Sequence, residues 1–206
     1  MKIIVVGIGK VGFTVADQLS NEHHDVTIVD TNEKVLNAVL NNLDVIAVHG
    51  NGASRKVLSE AGVEESDLVI ALTGSDEINL LCCLLATKLG ANGTIARVRN
   101  HVYYEDVRLI KDSLGLSMVI NPEKEAAEEI LRILKYPSAK NIDTFAKGKI
   151  NIVSFTATKN CTLCGQAVKD SFSGLKARAL ACAVERENKI FIPFGDSVIE
   201  ENDVVA

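Results

Sequence analysis

The chain has no uninterrupted apolar run of the roughly 18 residues that a membrane-crossing helix needs, and Met1-Lys2 opens straight into an apolar strand rather than a leader. A cytoplasmic protein is therefore expected. Cysteine is sparse: the five residues Cys82, Cys83, Cys161, Cys164 and Cys182 are odd in number and lack the density of a secreted disulfide scaffold, so reduced thiols are the simple reading. Basic excess is missing as well. A formal net charge of −5 gives no general electrostatic reason to bind nucleic acid or an anionic membrane surface. Cys161-Thr162-Leu163-Cys164 has no second pair or suitably placed histidine to complete a structural zinc site. It reads as two small buried thiols, and no metal site is expected. There is neither a G-x-S-x-G elbow nor a Walker loop, and His49 has no partner acid or nucleophile.

What is present is an ordinary globular composition, 47% hydrophobic and 24% charged, which argues against disorder. The first 30 residues carry the strongest signal. Ile3 to Val6 form a short β-branched run suited to a strand buried on both faces. Gly7-Ile8-Gly9-Lys10-Val11-Gly12 follows, the G-x-G-x-x-G arrangement. Its glycines turn tightly, admit a pyrophosphate and let a helix pack on the strand. The helix is expected from Lys10 to Asn21, with Val11, Val15 and Leu19 on its packed face. Asp30 closes the second strand, near the spacing at which a carboxylate meets an adenosine ribose. It would repel a 2′-phosphate, so NAD or another adenine nucleotide is favoured over NADP.

The βα rhythm continues to residue 136 and predicts a six-stranded, Rossmann-like doubly wound parallel sheet. His49-Gly50-Asn51-Gly52 and Thr73-Gly74 lie at strand exits, at the edge where such sheets bind ligands. Arg97 and Arg99 alternate onto one side at the fifth exit, as a phosphate clamp would require, although a solvated pair has the same pattern. The helix from Asp76 to Leu89 is apolar without a break over Leu80 to Leu85, so a covering on its second side is expected, read as a subunit interface. Tyr136-Pro137 breaks the rhythm. Residues 1–136 read as the nucleotide-binding domain and 137–206 as a small α+β domain, with 137–148 as the boundary segment. Asp203 to Ala206 reads as a strand beginning rather than ending, as in a chain cut from a longer one. No catalytic constellation emerges, and a non-enzyme is expected. The competing reading is the cofactor-binding part of an NAD-dependent oxidoreductase.

Taken together, GIGKVG at Gly7 to Gly12, IVD ending at Asp30, HGNGAS from His49, ALTGSDEINLL from Ala71, ARVRN from Ala96, INPEKEAAEEIL from Ile120 and IPFGDSVIEENDVV from Ile192 resemble the regulatory subunits of Trk-type potassium uptake systems, the TrkA family. The resemblance covers the whole chain. It implies a nucleotide-binding potassium-conductance regulator (RCK) domain followed by a TrkA C-terminal-type domain. It further implies a cytoplasmic protein, peripheral on the inner face of the membrane, that binds NAD(H), ATP or ADP and gates a potassium-translocating membrane subunit. A potassium/proton antiporter is the alternative partner. By the same resemblance Gly7, Ile8, Gly9, Lys10, Val11 and Gly12 hold phosphates, Asp30 the ribose, Asn51, Thr73 and Gly74 the adenosine region, and Arg97 and Arg99 further phosphate contacts. Lys10 stands where some relatives carry arginine, which keeps the charge and loses the planar fork. Homo-oligomers are expected through the Leu80 to Leu85 helix.

Overall fold

In a computed structural model, described for residues 1–146, 149–171 and 179–206, contacts group the chain into two units, 1–126 and 127–206. The first unit contains β1 (Lys2–Val6), α1 (Lys10–Asn21), β2 (Asp25–Asp30), α2 (Glu33–Leu40), β3 (Ile46–His49), α3 (Arg55–Glu60), a 3-10 turn (Val63–Glu65), β4 (Leu68–Ala71), α4 (Asp76–Leu89), β5 (Thr94–Arg97), α5 (His101–Ile110) and β6 (Met118–Ile120). Its six strands pair in the order β3-β2-β1-β4-β5-β6, and every pair is parallel. Alternation along β1 explains the two layers of core. Ile4 and Val6 join Leu58, Cys82, Cys83, Ala86 and Tyr104 on one face, while Ile3 and Val5 join Ala16, Leu36 and Val39 on the other. Helices thus cover both faces, and the chain reverses direction across the sheet between β1 and β4.

Polar side chains set the helix starts. Asn32 accepts from the Lys34 N–H at 3.1 Å, Ser75 from Ile78 at 3.2 Å and Asn100 from Val102 at 3.0 Å. The packed stripe of α1 differs from the one expected. Gly12 and Ala16 are its buried residues, Val15 and Leu19 pack partly, and Val11 is 40% exposed. The close approach at Gly12 centres the contact one residue further along. The second covering expected for α4 comes in part from its own chain, since Leu80 and Leu85 pack on the first core layer. Only Leu81 within the 80–85 run is strongly exposed, at 44%.

Helix α6 (Pro122–Lys135) lies across the division between the units, ahead of the break at Tyr136-Pro137. It starts acidic and ends basic, and Ile130, Leu131, Ile133 and Leu134 stay exposed on it. The second unit continues with β7 (Asn141–Phe145), β8 (Ile150–Thr156), α7 (Val168–Ser171), β9 (Val184–Arg186), β10 (Lys189–Phe191) and β11 (Val204–Val205). These strands form an antiparallel sheet in the order β10-β9-β11-β8-β7. β7 occupies part of the segment read from the sequence as a boundary. It pairs with β8 over five positions, yet as a mostly exposed edge strand it carries Asn141, Asp143 and Thr144, which mask its strand character. The sequence pattern over Ala179 to Val184 suits a strand, but β9 begins only at Val184. Glu187 and Asn188 both have positive φ, 49° and 62°, the geometry of a tight hairpin turn. Ala157, Val168, Ala181, Val184, Ile199 and Val205 form this unit's own core.

Candidate functional site

The carboxyl ends of β1, β2, β4 and β5 surround a cavity of about 560 Å³. Two glycines shape the turn from β1 into α1 beside it. Gly7 has φ +89°, and a Cβ there would lie 2.6 Å from the Thr73 nitrogen; a Cβ on Gly12 would lie 2.0 Å from the Gly7 carbonyl oxygen. Gly9 differs, because a Cβ on it would meet nothing within 4 Å. It is the N-cap of α1, which has no side-chain cap and no acidic residue in its first turn. The helix therefore presents unpaired N–H groups and the positive end of its dipole to the cavity, an arrangement suited to an anion.

Of the residues singled out from the sequence, Gly7, Gly9, Lys10, Val11, Asp30, Asn51, Thr73, Gly74 and Arg97 line the cavity. Ile8, Gly12 and Arg99 stand outside the lining. Ile8 is buried and donates its N–H to Asp30 Oδ2 at 2.7 Å. Asp30 also accepts from the Asn32 N–H at 2.8 Å through Oδ1. Its carboxylate thus ties the glycine loop to the end of β2 and keeps lone pairs for a ligand hydroxyl. Asn51 accepts from the Ala53 N–H at 2.9 Å, shaping the loop after β3. His49 contacts the Thr31 carbonyl at 3.0 Å through Nε2 and does not line the cavity.

The two arginines have separate places. Arg97 lines the cavity, and its Nη2 donates to the Thr73 carbonyl at 2.8 Å while its buried Nε has no partner. Arg99 instead braces the β4 exit: its Nη2 donates to the Gly74 carbonyl, and its Nε lies 3.7 Å from Asp76 Oδ1. A guanidinium that lines a cavity and gives one of its five N–H groups to Thr73 has others with which to meet an oxyanion.

Sequence reasoning missed the residue that organises this edge. Asn79, fully buried in α4, accepts from the Thr73 N–H at 2.8 Å and from its hydroxyl at 2.7 Å, and donates to the Arg97 carbonyl at 2.9 Å. One amide thereby fixes the exits of β4 and β5 together. Asp76 and Asn121, also buried, act alongside it. Asp76 Oδ2 accepts from the Arg99 and Asn100 N–H groups at 2.9 and 2.8 Å, and Asn121 donates to the Arg99 carbonyl at 3.0 Å. The available signal was Asn79 as a polar residue at the head of the Leu80 to Leu85 run. Among the described residues no His, Cys, Asp and Glu cluster could hold a metal ion.

The family model for the TrkA-N domain matches residues 3–122. The chain belongs to the TrkA-N family. Its relatives include the Trk system potassium uptake protein TrkA homolog of Archaeoglobus fulgidus, 35% identical over 206 residues, covering all of this chain and 46% of that protein. TrkA of Haemophilus influenzae is 33% identical over 211 residues, covering all of this chain and 46% of its own. The chain thus spans about half the length of the curated relatives it matches. Among solved structures, the GsuK channel bound to NAD has a TM-score of 0.58 at 20% identity, covering 99% of this chain and 36% of its own. The AMP-bound Kef CTD of Shewanella denitrificans has a TM-score of 0.54 at 18% identity, covering 68% of this chain and 84% of its own. These likenesses show a shared fold, the doubly wound TrkA-N sheet.

Proposed function

We propose that this TrkA-N chain is a nucleotide-sensing regulatory unit of a potassium-transport assembly, binding NAD(H), ATP or ADP and gating a membrane-embedded partner without chemistry of its own. The observation that carries the reading is the uncapped N-terminus of α1, opening with Gly9 into a cavity bounded by Asp30 and Arg97. In this reading α1 and Lys10 hold the phosphates, Asp30 takes the ribose hydroxyls, Asn51, Thr73 and Gly74 bound the adenosine, and Arg97 supplies a further phosphate contact. Gly12 and Ile8 shape the loop, and Arg99 acts on the ligand through Gly74. The TrkA names of the relatives and the nucleotides in the titles of the GsuK and Kef structures support the functional class.

No described helix is long and apolar enough to cross a membrane, so in this reading the chain acts peripherally on a separate translocating subunit. Gating requires that the nucleotide bind one arrangement of the assembly more tightly than the other. The exposed apolar residues of α6, with Leu81 on α4, support association between copies. We further infer that residues 1–136 and 137–206 act as the ligand-binding and assembly parts.

The test pairs competition binding with size measurement. NADPH is expected to bind at least about tenfold more weakly than NADH, about 1.4 kcal/mol, because its 2′-phosphate meets Asp30. Asp30→Ala should narrow that gap, and saturating nucleotide should change the association state or shape of the protein. Equal affinity for NADH and NADPH contradicts the placement of Asp30; a size profile indifferent to every bound nucleotide contradicts the gating role.

A further inference from the structure

The thiols of this chain occupy different environments. Cys82 and Cys83 are buried in α4; burial pushes the Cys82 thiol up to about 12 and raises that of Cys83 too, which keeps both protonated and inert. Cys161 and Cys164 are half-buried rather than sequestered, contrary to the reading of two buried core thiols. The Cys164 N–H donates to the Cys161 carbonyl at 3.1 Å, so the two cysteines are the first and fourth residues of one β-turn. Such a turn brings its end Cα atoms to less than about 7 Å, which reaches the roughly 4.4–6.8 Å span of a disulfide.

This turn is anchored on both sides. Cys161 N–H donates to the Thr158 carbonyl at 2.8 Å, Gly165 N–H to Ile199 at 2.8 Å, and Leu163 packs on the core of the second unit. The native backbone thus brings the Cα atoms of the two cysteines near each other. Their access differs. Cys161 lines a cavity of about 500 Å³ together with Ser138, Lys140, Phe155 and Asn160, whereas Cys164 is absent from its lining. Lys140 gives that cavity a positive charge, which suits an anionic visitor.

We propose that Cys161 and Cys164 form a reversible dithiol/disulfide site, with Cys161 as the attacking thiol and Cys164 as the resolving one, oxidised by an anionic low-molecular-weight disulfide. In the first step Cys161 gives its proton to solvent and its sulfur attacks one sulfur of the small disulfide. A mixed disulfide forms, the small S–S bond breaks, and one thiolate leaves and takes a proton from water. In the second step the deprotonated Cys164 sulfur attacks Cys161 Sγ, the intramolecular bond forms and the second small thiol is expelled. Two cysteine thiols are oxidised and one small disulfide is reduced to two thiols. The product pins the turn that walls the cavity beside residues 137–140, just after α6. The site shares no residue with the nucleotide cavity, so its failure leaves the proposed function untouched.

Glutathione disulfide is the probe, applied to the full chain with exposed Cys182 replaced by serine and read by intact mass, alkylation and peptide mapping. The expected result is a loss of two hydrogens and two alkylatable thiols, no retained adduct, and a cross-link mapped to Cys161 and Cys164. Cys164→Ser should trap one glutathione on Cys161, and Cys161→Ser should react at least about tenfold more slowly. Thiols that stay alkylatable, independent adducts on both cysteines, or trapping that favours Cys164 over Cys161 overturns the proposal.

Discussion

Gly12→Ala is expected to destabilise the protein by about 1–3 kcal/mol and to weaken adenine-nucleotide binding at least about tenfold. The added methyl would lie 2.0 Å from the Gly7 carbonyl oxygen and 3.1 Å from its carbon, and both are backbone atoms. No side-chain rotation relieves that overlap, so α1 must lift from β1. Lifting loosens the packing of Ala16, Val15 and Leu19, and it carries the helix N-terminus away from where phosphates must lie. Thermal melting reads the first loss and equilibrium binding the second. A variant with unchanged melting and unchanged affinity contradicts the placement of α1.

Asp203→Ala is expected to cost about 3 kcal/mol, the lower end of what breaking a buried ion pair removes. Asp203 has a fully buried side chain and takes two parallel bonds from Arg186, 2.8 Å from Nε and 2.7 Å from Nη2, plus the Glu200 N–H at 2.7 Å. Alanine leaves Arg186 in place, but its side chain is 30% exposed and it keeps the Glu200 carboxylate and the Val198 carbonyl, which limits the penalty. The pair also sets a pH dependence. The Arg186 bond holds the Asp203 carboxyl below its ordinary range. A carboxyl depressed in the folded state stabilises fully above its unfolded pKa, and that part is lost as pH falls through the folded value. Urea unfolding followed by circular dichroism should show the gap between wild type and Asp203→Ala shrinking on acidification. A gap that widens in acid contradicts the assignment.

The glycine loop was legible because steric demands leave few residue choices there: Gly7 sits at positive φ against Thr73, and Gly12 touches the Gly7 carbonyl. The parallel sheet was equally legible, since β1, β2 and β4 must be apolar on both faces. Other features are set by tertiary context. Val11 satisfies the helical period yet faces the cavity, because Gly12 fixes which side of α1 meets the strand. β7 gains its strand state from pairing with β8, which its polar sequence does not announce. The role of Asn79 depends on two partner residues, Thr73 and Arg97, 6 and 18 positions away, a reach that no local pattern encodes. Cys161 and Cys164 showed their spacing in the sequence, but their difference in access depends on a cavity wall formed by residues near 138 and 155.

Gly9 gives the most direct test of the nucleotide site, because it lines the cavity while a Cβ there would meet nothing within 4 Å. The chain contains no tryptophan, so NADH fluorescence can be titrated without an indole background. Wild type should saturate with NADH and release it to ATP or ADP. Gly9→Ala should keep the wild-type melting temperature and lose at least about tenfold in affinity. A wild-type protein that binds none of these nucleotides, or a Gly9→Ala protein that binds them unchanged, contradicts the account.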